Sequence, residues 1–546
     1  MDKEMALRSE FSRAIGGLLL ACGLAGCGAE PETLPTGTSL FRVHMETAGT
    51  EPTSGRLLVF AESAQVAEAE QAGGGPVTAV DVNPLAASKV TVAARNVAWL
   101  GQHRSVVIDG DDLAFPSRYS SLPQGDYYVQ AVLDVNRDYN YRGRSAGDLL
   151  GKVVRIHLPM QHPVDLVLDH VVPAKDPWHP EAASPDSQAT LDAARPHAHL
   201  VDVQSRLLTG FWGRRIDMRG WVLTPPGYED GRQPYPTVYY TQGFGGDNAH
   251  AVPVLARIYA AMRDGSMPPM IWVALDESSP TGTHEFADSV NNGPWGQALT
   301  TELIPALERE YRMDARASGR FLNGHSSGGW ATLWLQTRYP QIFGGTWSTS
   351  PDPSDFHDFT GPDLYAPHAN VYVRTDGSAW PLVRDHGQVQ ATFEQFAKLE
   401  QVLGPYGGQM ASFEWVFSPR GADGRPLPMF NRYTGAVDPA VIRYWRDHYD
   451  IAWRLAHEWP VLKPDLDGKI HLYVGTADTF YLDGAAHRLK HVLDGLGARS
   501  DIRFLPGRSH FDLYVQGDDR QGLLKQISWD MYAIARPAAA RPASSP

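Results

Sequence analysis

Along the first third of the chain, hydrophobic and polar residues alternate in short runs separated by Gly, Pro, Asn and Asp. Segments such as LFRVHME, GRLLVFAE, YYVQAVLDV and KVVRIHLPM fit the two-residue period of strands with one buried face. No convincing helical period interrupts them. Residues 39–172 are therefore predicted to form a β-sandwich domain.

From about residue 200 the pattern changes to apolar strands that alternate with amphipathic helices. TVYYTQG and MIWVALD are continuous apolar runs, and Leu299, Leu303 and Leu307 recur at one-turn spacing. Such alternation predicts a mostly parallel sheet with helices on both faces, and hence the α/β class. The predicted segments are a linker at 173–199, an α/β domain at 200–535 and a disordered tail at 536–546.

The first 27 residues have the pattern of an export signal. Basic residues precede an apolar stretch, too short to span a bilayer, that ends in Leu24-Ala25-Gly26-Cys27. This end resembles the lipobox of bacterial lipoproteins, in which the signal is cut before a cysteine that is then acylated. A secretory signal without lipidation is the alternative. The resemblance implies a protein anchored by Cys27 in the cell envelope, in the outer membrane facing the periplasm or the cell surface, with a tether at 28–38.

Composition narrows the function classes. The chain has 546 residues, 43% of them hydrophobic and 20% charged, which is typical of a globular protein with two or more domains. The formal charge is −14 and no basic run is present, which argues against nucleic-acid binding. The chain has only two cysteines, Cys22 and Cys27, and both belong to the export segment. The mature chain is therefore predicted to have neither a disulfide nor thiol chemistry.

A candidate nucleophile lies in GRFLNGHSSGGW. Its residues Gly324-His325-Ser326-Ser327-Gly328 match Gly-x-Ser-x-Gly, which presents a serine on a strained turn between a strand and a helix. ASGRFLNG can form that strand and GGWATLWLQTRYP that helix. A serine hydroxyl also needs a general base, a carboxylate that orients the base, and donors for an oxyanion. The pentapeptide alone leaves an ordinary glycine-rich turn open.

The remaining groups occur later in the chain, in the order that this arrangement requires. Strand KIHLYVG leads into Asp478, and the next strand, DIRFLPG, leads into His510. Catalytic groups collect at the carboxyl ends of strands in such sheets. Asp483 is an alternative acid, but it falls at the start of a helix, where capping is the simpler role. Order and topology together predict a catalytic triad of Ser326, His510 and Asp478.

Two backbone N–H groups are predicted to hold the oxyanion. One belongs to Ser327, and the other to Phe244, with Gly245 as second choice, in the glycine-rich loop after TVYYTQG. A plain tight turn is the alternative for that loop. Gly245 is also a candidate substrate contact, as are Asn291 and Trp295 in SVNNGPW, although Ser and Asn also form caps and turns.

From about Val203 to Tyr514 the sequence resembles the putative-esterase family of α/β-hydrolases. This family includes the S-formylglutathione hydrolases, enterochelin esterases, feruloyl and acetylxylan esterases and mycolyltransferases. The resemblance is carried by GWVLTPPGYEDGRQPYPTVYYTQGFGGD, by TTELIPALEREYRMDARASGRFLNGHSSGGWATLWLQTRYPQIFGG and by the segments around Asp478 and His510. It implies an α/β-hydrolase fold and a serine carboxylic-ester hydrolase without a metal or organic cofactor.

The sequence departs from the family pattern in two places. Gln242 stands where many members have histidine before the glycine, a position that supports the loop and does not react. The separation between Ser326 and Asp478 is long, which predicts an insertion at about 352–465. Aromatic residues such as those of this insertion more often pack in a core or cover a pocket than bind a sugar ring.

Residues 134–145 partly match the pattern of a calcium-binding loop. Asp134-Val135-Asn136-Arg137-Asp138 begins like such a loop, but Tyr139 replaces the glycine at position six and Ser145 the glutamate at position twelve. A polar hairpin end is therefore preferred, with calcium binding by Asp134, Asn136 and Asp138 left open.

Together these patterns predict a serine esterase of the cell envelope. It would form an acyl-enzyme with a small-molecule, siderophore or carbohydrate-linked ester. Three alternatives stay open: an acyltransferase with the same triad, a serine peptidase, which the absence of propeller repeats disfavours, and a non-catalytic binding protein on a hydrolase scaffold. The sequence leaves the oligomeric state and the partner of the sandwich open.

Overall fold

The computed structural model describes residues 39–46, 53–71, 74–101, 104–179 and 186–538. The predicted export signal, the lipidation at Cys27 and the tether at 28–38 lie outside these residues, as do residues 539–546 of the predicted tail. Within the described ranges, no helix combines the length and the apolar composition that crossing a lipid bilayer requires.

Nine strands and two short α-helices make up the first part of the described chain. They are β1 (Leu40–Met45), β2 (Thr53–Ser63), α1 (Ala64–Glu70), β3 (Thr91–Leu100), β4 (Ser105–Asp109), β5 (Ala114–Phe115), β6 (Gly125–Asp134), α2 (Tyr139–Arg142), β7 (Leu149–Gly151), β8 (Val154–Leu158) and β9 (Val164–Val171). The strands form one sheet in the order β4-β1-β9-β7-β6-β2-β3-β5, with β8 beside β6. All pairings are antiparallel except that of β1 with β9.

This sheet encloses an apolar core, and its central strand β2 is buried on both faces. Phe41 of β1, Val59 of β2 and Leu166 of β9 belong to one cluster, so distant strands face each other as in a sandwich. Leu58 and Phe60 of β2 point the other way and join a cluster with the second part of the chain. A strand with two buried faces needs no polar side, which explains why GRLLVFAE is almost continuously apolar.

Fourteen strands and twelve α-helices follow in the described part of the chain. The strands are β10 (Ala198–Gln204), β11 (Asp217–Leu223), β12 (Thr237–Thr241), β13 (Ile271–Leu275), β14 (Ser278–Ser279), β15 (Gly282–Thr283), β16 (Asp288–Ser289), β17 (Gly293–Pro294), β18 (Arg320–His325), β19 (Gly345–Thr349), β20 (Pro381–Asp385), β21 (Gln388–Thr392), β22 (Ile470–Gly475) and β23 (Ser500–Leu505). The helices are α3 (Gln188–Ala194), α4 (Arg206–Trp212), α5 (Asn248–Arg263), α6 (Trp295–Ala298), α7 (Ile304–Glu310), α8 (Ser327–Arg338), α9 (Phe393–Leu403), α10 (Gln409–Phe417), α11 (Pro439–Tyr449), α12 (Ile451–Leu466), α13 (Asp483–Gly495) and α14 (Gly522–Ala535).

The second part is built on an eight-stranded sheet in the order β10-β11-β13-β12-β18-β19-β22-β23. Strand β11 is antiparallel to both neighbours, and the pairings from β13 onward are parallel. Val238 of β12 packs with α5 and α14, whereas the next residue, Tyr239, packs with the helix that carries Leu303 and Leu307. Helices therefore cover both faces, and the structure confirms the predicted α/β-hydrolase class with a strand domain before it.

The long segment between β19 and β22 holds β20, β21 and the helices α9 to α12. Trp445 is fully buried there, and its indole N–H donates to Ser418 Oγ at 2.9 Å. Phe430 and Phe393 pack edge to face, with ring centroids 5.8 Å apart. These aromatic side chains belong to the same apolar cluster as Leu58 and Phe60 of β2 and Leu472 of β22, so the segment packs against both sheets.

Candidate active site

Ser326 lies on a tight turn between β18 and α8. Its backbone has φ 59° and ψ −125°, a strained conformation for a residue with a side chain, which concentrates at functional sites. A Cβ atom at Gly324 would overlap Gly328 O, and one at Gly328 would overlap Gln242 O. Because only glycine fits at both positions, the Gly-x-Ser-x-Gly pattern is a packing requirement of this turn.

His510 and Asp478 lie together, although 31 residues separate them in the chain. His510 Nδ1 and Asp478 Oδ2 are 2.9 Å apart, and both side chains are buried. The N–H of Phe480 donates to Asp478 Oδ1 at 3.0 Å. Burial raises the pKa of this carboxyl, but the charge and hydrogen bond of His510 and the Phe480 N–H outweigh it, so the pKa lies below its usual value. Asp478 is therefore ionised at neutral pH.

The alternative acid, Asp483, has a different environment. It is the first residue of α13, and Arg384 Nη2 lies 3.0 Å from its carboxylate. Arg384 also donates through Nε to the backbone O of Asp478 at 2.7 Å. Asp483 thus helps Arg384 to hold the Asp478 loop, and it makes no contact with His510.

A cavity of about 360 Å³ opens at Ser326 and His510. Phe480 and Phe511 stand beside the imidazole, with ring centroids 4.9 and 5.4 Å from it. Burial raises the pKa of Glu400 to about 8, so this wall residue is mostly uncharged at neutral pH. The lining is largely apolar and comes from seven regions of the chain. Its other members are Pro84, Leu85, Asn140, Tyr141, Gly243, Phe244, His325, Phe396, Leu399, Leu403 and Gln409.

His325 is a further group beside the imidazole. Its ring centroid lies 4.4 Å from that of His510, and its Nδ1 lies 3.2 Å from Thr349 Oγ1. Burial and the neighbouring His510 lower the pKa of His325 to about 3. His325 is therefore neutral at physiological pH and adds no charge to the cavity.

The first domain supplies one wall of this cavity, which the sequence did not indicate. Tyr141 of α2 lines it, and the side-chain amide of Asn140 donates to the backbone O of Glu400 at 3.1 Å and of Gly404 at 2.9 Å. Arg56 of β2 donates through Nη2 to Val402 O at 2.7 Å. The last carbonyl groups of a helix have no partner within the helix, so the first domain caps the end of α9.

The loop that carries Tyr141 is held by a cluster of aspartates. Carboxylate oxygens of Asp134, Asp138 and Asp148 lie within 4.8 Å of one another. Burial raises the pKa of Asp134 to about 6, and its oxygens accept the N–H groups of Asp138 and Tyr139 at 3.2 Å. Asn136, which the sequence grouped with Asp134 and Asp138, donates through its amide to Ser145 Oγ and Ala146 O.

The two candidate oxyanion donors are near Ser326. Ser327 is the first residue of α8, so its N–H has no intrahelical partner. Phe244 lines the cavity, and a Cβ atom on the preceding Gly243 would lie 3.0 Å from the Cβ of Ser326. Gln242 donates through Nε2 to Asp247 O at 2.8 Å, so this departure from the family pattern still supports the loop.

The three candidate substrate contacts, Gly245, Asn291 and Trp295, do not line the Ser326 cavity. Gly245 has φ 81° and packs against Tyr141 O, outside the cavity lining. Asn291 is buried and donates to Ser418 O at 2.8 Å. Trp295 stacks on His284, with ring centroids 3.6 Å apart, and lines a second cleft. The structure therefore does not bring Asn291 or Trp295 to the Ser326 cavity.

Asp352 is a buried carboxylate next to the serine turn that sequence analysis missed. Its Oδ2 accepts the hydroxyl of Ser327 at 2.6 Å, and its N–H donates to Ser326 O at 3.2 Å. Burial raises the pKa of Asp352 to about 6. Asp352 lies just after β19. A position just after a strand of the parallel sheet is also what pointed to Asp478 and His510.

Part of the chain matches a known protein family. Residues 215–482 match the model of a family described as "Putative esterase". Similar solved structures include an S-formylglutathione hydrolase from Agrobacterium tumefaciens, with 14% sequence identity, a TM-score of 0.34, and coverage of 63% of this chain and 95% of that chain. A ferulic acid esterase from Anaeromyces mucronatus has 13% identity, a TM-score of 0.33, and coverage of 61% and 89%. No curated protein matches the chain significantly. The matched part of the chain, residues 215–482, belongs to the putative-esterase family of α/β-hydrolases.

Proposed function

We propose that the protein is a serine esterase that cleaves a carboxylic ester through Ser326, His510 and Asp478, with an acyl-enzyme intermediate. The observation that carries this proposal is the 2.9 Å contact between His510 Nδ1 and Asp478 Oδ2 in the wall of the cavity that holds Ser326. An ionised Asp478 keeps the proton on Nδ1 and leaves Nε2 of His510 as the base.

In the proposed reaction, Nε2 of His510 takes the proton of Ser326 Oγ while Oγ attacks the ester carbonyl carbon. The oxyanion that forms accepts hydrogen bonds from the N–H groups of Phe244 and Ser327. When the tetrahedral intermediate collapses, the alcohol leaves with the proton from His510. Water then gives a proton to Nε2 of His510 and attacks the acyl carbon; as the acid is released, Ser326 Oγ leaves with that proton, which restores both residues.

The lining of the cavity supports an ester with an apolar part. Phe396, Leu399 and Leu403 line the α9 wall, and Phe480 stands beside the imidazole. Apolar contacts of this kind contribute about 25 cal/mol per Å² of buried surface. A small-molecule ester or an ester carried on a siderophore or a carbohydrate is compatible with a cavity that opens to solvent.

The location in the cell envelope is also part of the proposal. It rests on the export pattern that ends in Leu24-Ala25-Gly26-Cys27, outside the described residues. Membrane attachment that is lost on Cys27→Ser, with retained export, is the expected result. Equal membrane attachment of the Cys27→Ser protein would refute lipidation.

Fluorophosphonate labelling and hydrolysis of short aryl esters test the catalytic proposal together. We expect Ser326→Ala to abolish both, and His510→Ala to reduce hydrolysis by several orders of magnitude. Exposed Ser120→Ala and His386→Ala are the matched controls and retain full activity. Activity that survives Ser326→Ala, or an unlabelled wild-type protein, contradicts the proposal. An added alcohol that captures the acyl group in preference to water identifies an acyltransferase.

A further inference from the structure

A second cleft, of about 590 Å³, adjoins the Ser326 cavity and differs from it in charge. The two share a boundary in α2, where Tyr141 lines the first cavity and Arg142 lines the second. Tyr406 also lines the second cleft, and its backbone O accepts the amide of Asn140 at 3.1 Å. The second cleft is therefore a neighbour of the Ser326 cavity across α2.

Five arginines line this cleft, in a chain whose net charge is −14. Two of them are neutralised, because Arg215 lies 2.8 Å from Asp217 and Arg142 lies 3.1 Å from Asp247. The other three form no ion pair with any residue that the structure describes; they are Arg214, Arg219 and Arg425. Unpaired guanidinium groups that converge on one cleft repel each other, and an anionic ligand relieves that repulsion.

Aromatic rings stand among these arginines. Trp212 is 37% exposed, and its indole N–H is fixed on Asn292 O at 3.2 Å. Trp415 and Tyr406 are half-buried and pack edge to face, with ring centroids 6.4 Å apart. Aromatic faces bind the apolar C–H surfaces of sugar rings, and the guanidinium fork matches a carboxylate.

Polar side chains suited to sugar hydroxyls also line the cleft, next to one further carboxylate, that of Asp276. Ser279 and Thr281 of the β14–β15 hairpin line the cleft, together with Asn292. The strongly negative net charge of the chain disfavours the approach of a long polyanion. A short ligand with only a few negative charges fits both the lining of the cleft and the negative net charge of the chain.

From this arrangement we propose that the second cleft binds an acidic oligosaccharide, with carboxylates on Arg214, Arg219 and Arg425 and a sugar ring against Trp212. The site is a binding site in its own right, and only its use for the alcohol part of an ester substrate rests on the proposed esterase function.

Binding of trigalacturonate to the full protein tests the proposal by calorimetry. We expect a Kd at least tenfold lower than for galactotriose, which has the same number of rings and no charge, and weaker binding as salt increases. The triple variant Arg214→Gln, Arg219→Gln, Arg425→Gln and the single variant Trp212→Ala are each expected to raise the Kd at least tenfold. All four side chains are exposed, so these variants are expected to fold.

A charge-matched triple variant provides the control. Arg118, Arg263 and Arg443 are exposed and line neither cavity, so their replacement by Gln leaves the Kd unchanged. Use of Ser326→Ala protein throughout separates binding from catalysis, so the result does not depend on whether Ser326 is the nucleophile.

Several results would overturn the proposal: no binding of trigalacturonate, equal binding of galactotriose, or a Kd that the cleft variants do not change. Sulphate that binds as tightly as trigalacturonate, with no effect of Trp212→Ala, would reveal a plain anion site. Tighter binding of a trinucleotide would assign the cleft to nucleic acid.

Discussion

Replacement of Tyr141 by alanine is expected to alter which esters the protein hydrolyses. This side chain belongs to the first domain but lines the cavity at Ser326. Contact with a large ester would bury roughly 60–100 Å² of apolar surface against the ring, worth about 1.5–2.5 kcal/mol at 25 cal/mol per Å². That energy corresponds to a loss of roughly 10- to 70-fold in kcat/KM for an ester large enough to fill the cavity.

The assay compares kcat/KM for a small ester, ethyl acetate, with that for a large one, p-nitrophenyl hexanoate. In Tyr141→Ala the ratio of large to small is expected to fall by the calculated factor, whereas Tyr141→Phe keeps the ring and the ratio. Because both esters report on the same active molecules, partial unfolding cancels from the ratio. An unchanged ratio in Tyr141→Ala would show that the first domain does not select the substrate.

Three further changes have defined outcomes. Asp478→Asn removes the charge that orients His510, so kcat on an aryl ester is expected to fall by roughly three to four orders of magnitude; a loss below tenfold contradicts the triad. Arg56→Met removes charged hydrogen bonds to the end of α9 and is expected to lower the free energy of unfolding in urea by about 2–4 kcal/mol, whereas exposed Arg118→Met stays within about 0.5 kcal/mol. Asp352 has a raised pKa of about 6, so in wild type its ionisation costs stability progressively from about pH 4 to pH 6 and by a constant amount above that. Asp352→Asn removes this cost and is expected to gain stability relative to wild type up to about 3 kcal/mol by pH 7, and a difference that is the same at pH 4 and pH 7 would refute the assignment.

The groups that sequence analysis brought together share one local signal. Ser326, Asp478 and His510 each follow an apolar strand, and parallel strands present their carboxyl ends at one edge of a sheet. That geometry follows from the fold class alone, so a pattern in the chain was enough to find them. Asp352 follows β19 in the same way, but a triad needs one acid, and nothing in the sequence marked a second.

The residues that sequence analysis missed depend on how the two domains pack. Asn140 and Tyr141 reach the cavity only because α2 contacts the end of α9, and no periodicity encodes a contact between elements so distant in the chain. Only their place before a helix marks Asn291 and Trp295 in the sequence as candidate substrate contacts. The loop that precedes them folds into the short hairpins β14–β15 and β16–β17, which direct them away from Ser326.

The cap on α9 has a consequence for how the protein is made. Arg56 and Asn140 leave the ribosome long before Val402, and domains fold first from the N-terminus during synthesis. The hydrogen-bond donors for the end of α9 are therefore already in place when that helix emerges. A chain without the first domain would leave the end of α9 without these donors and the Ser326 cavity without its Tyr141 wall.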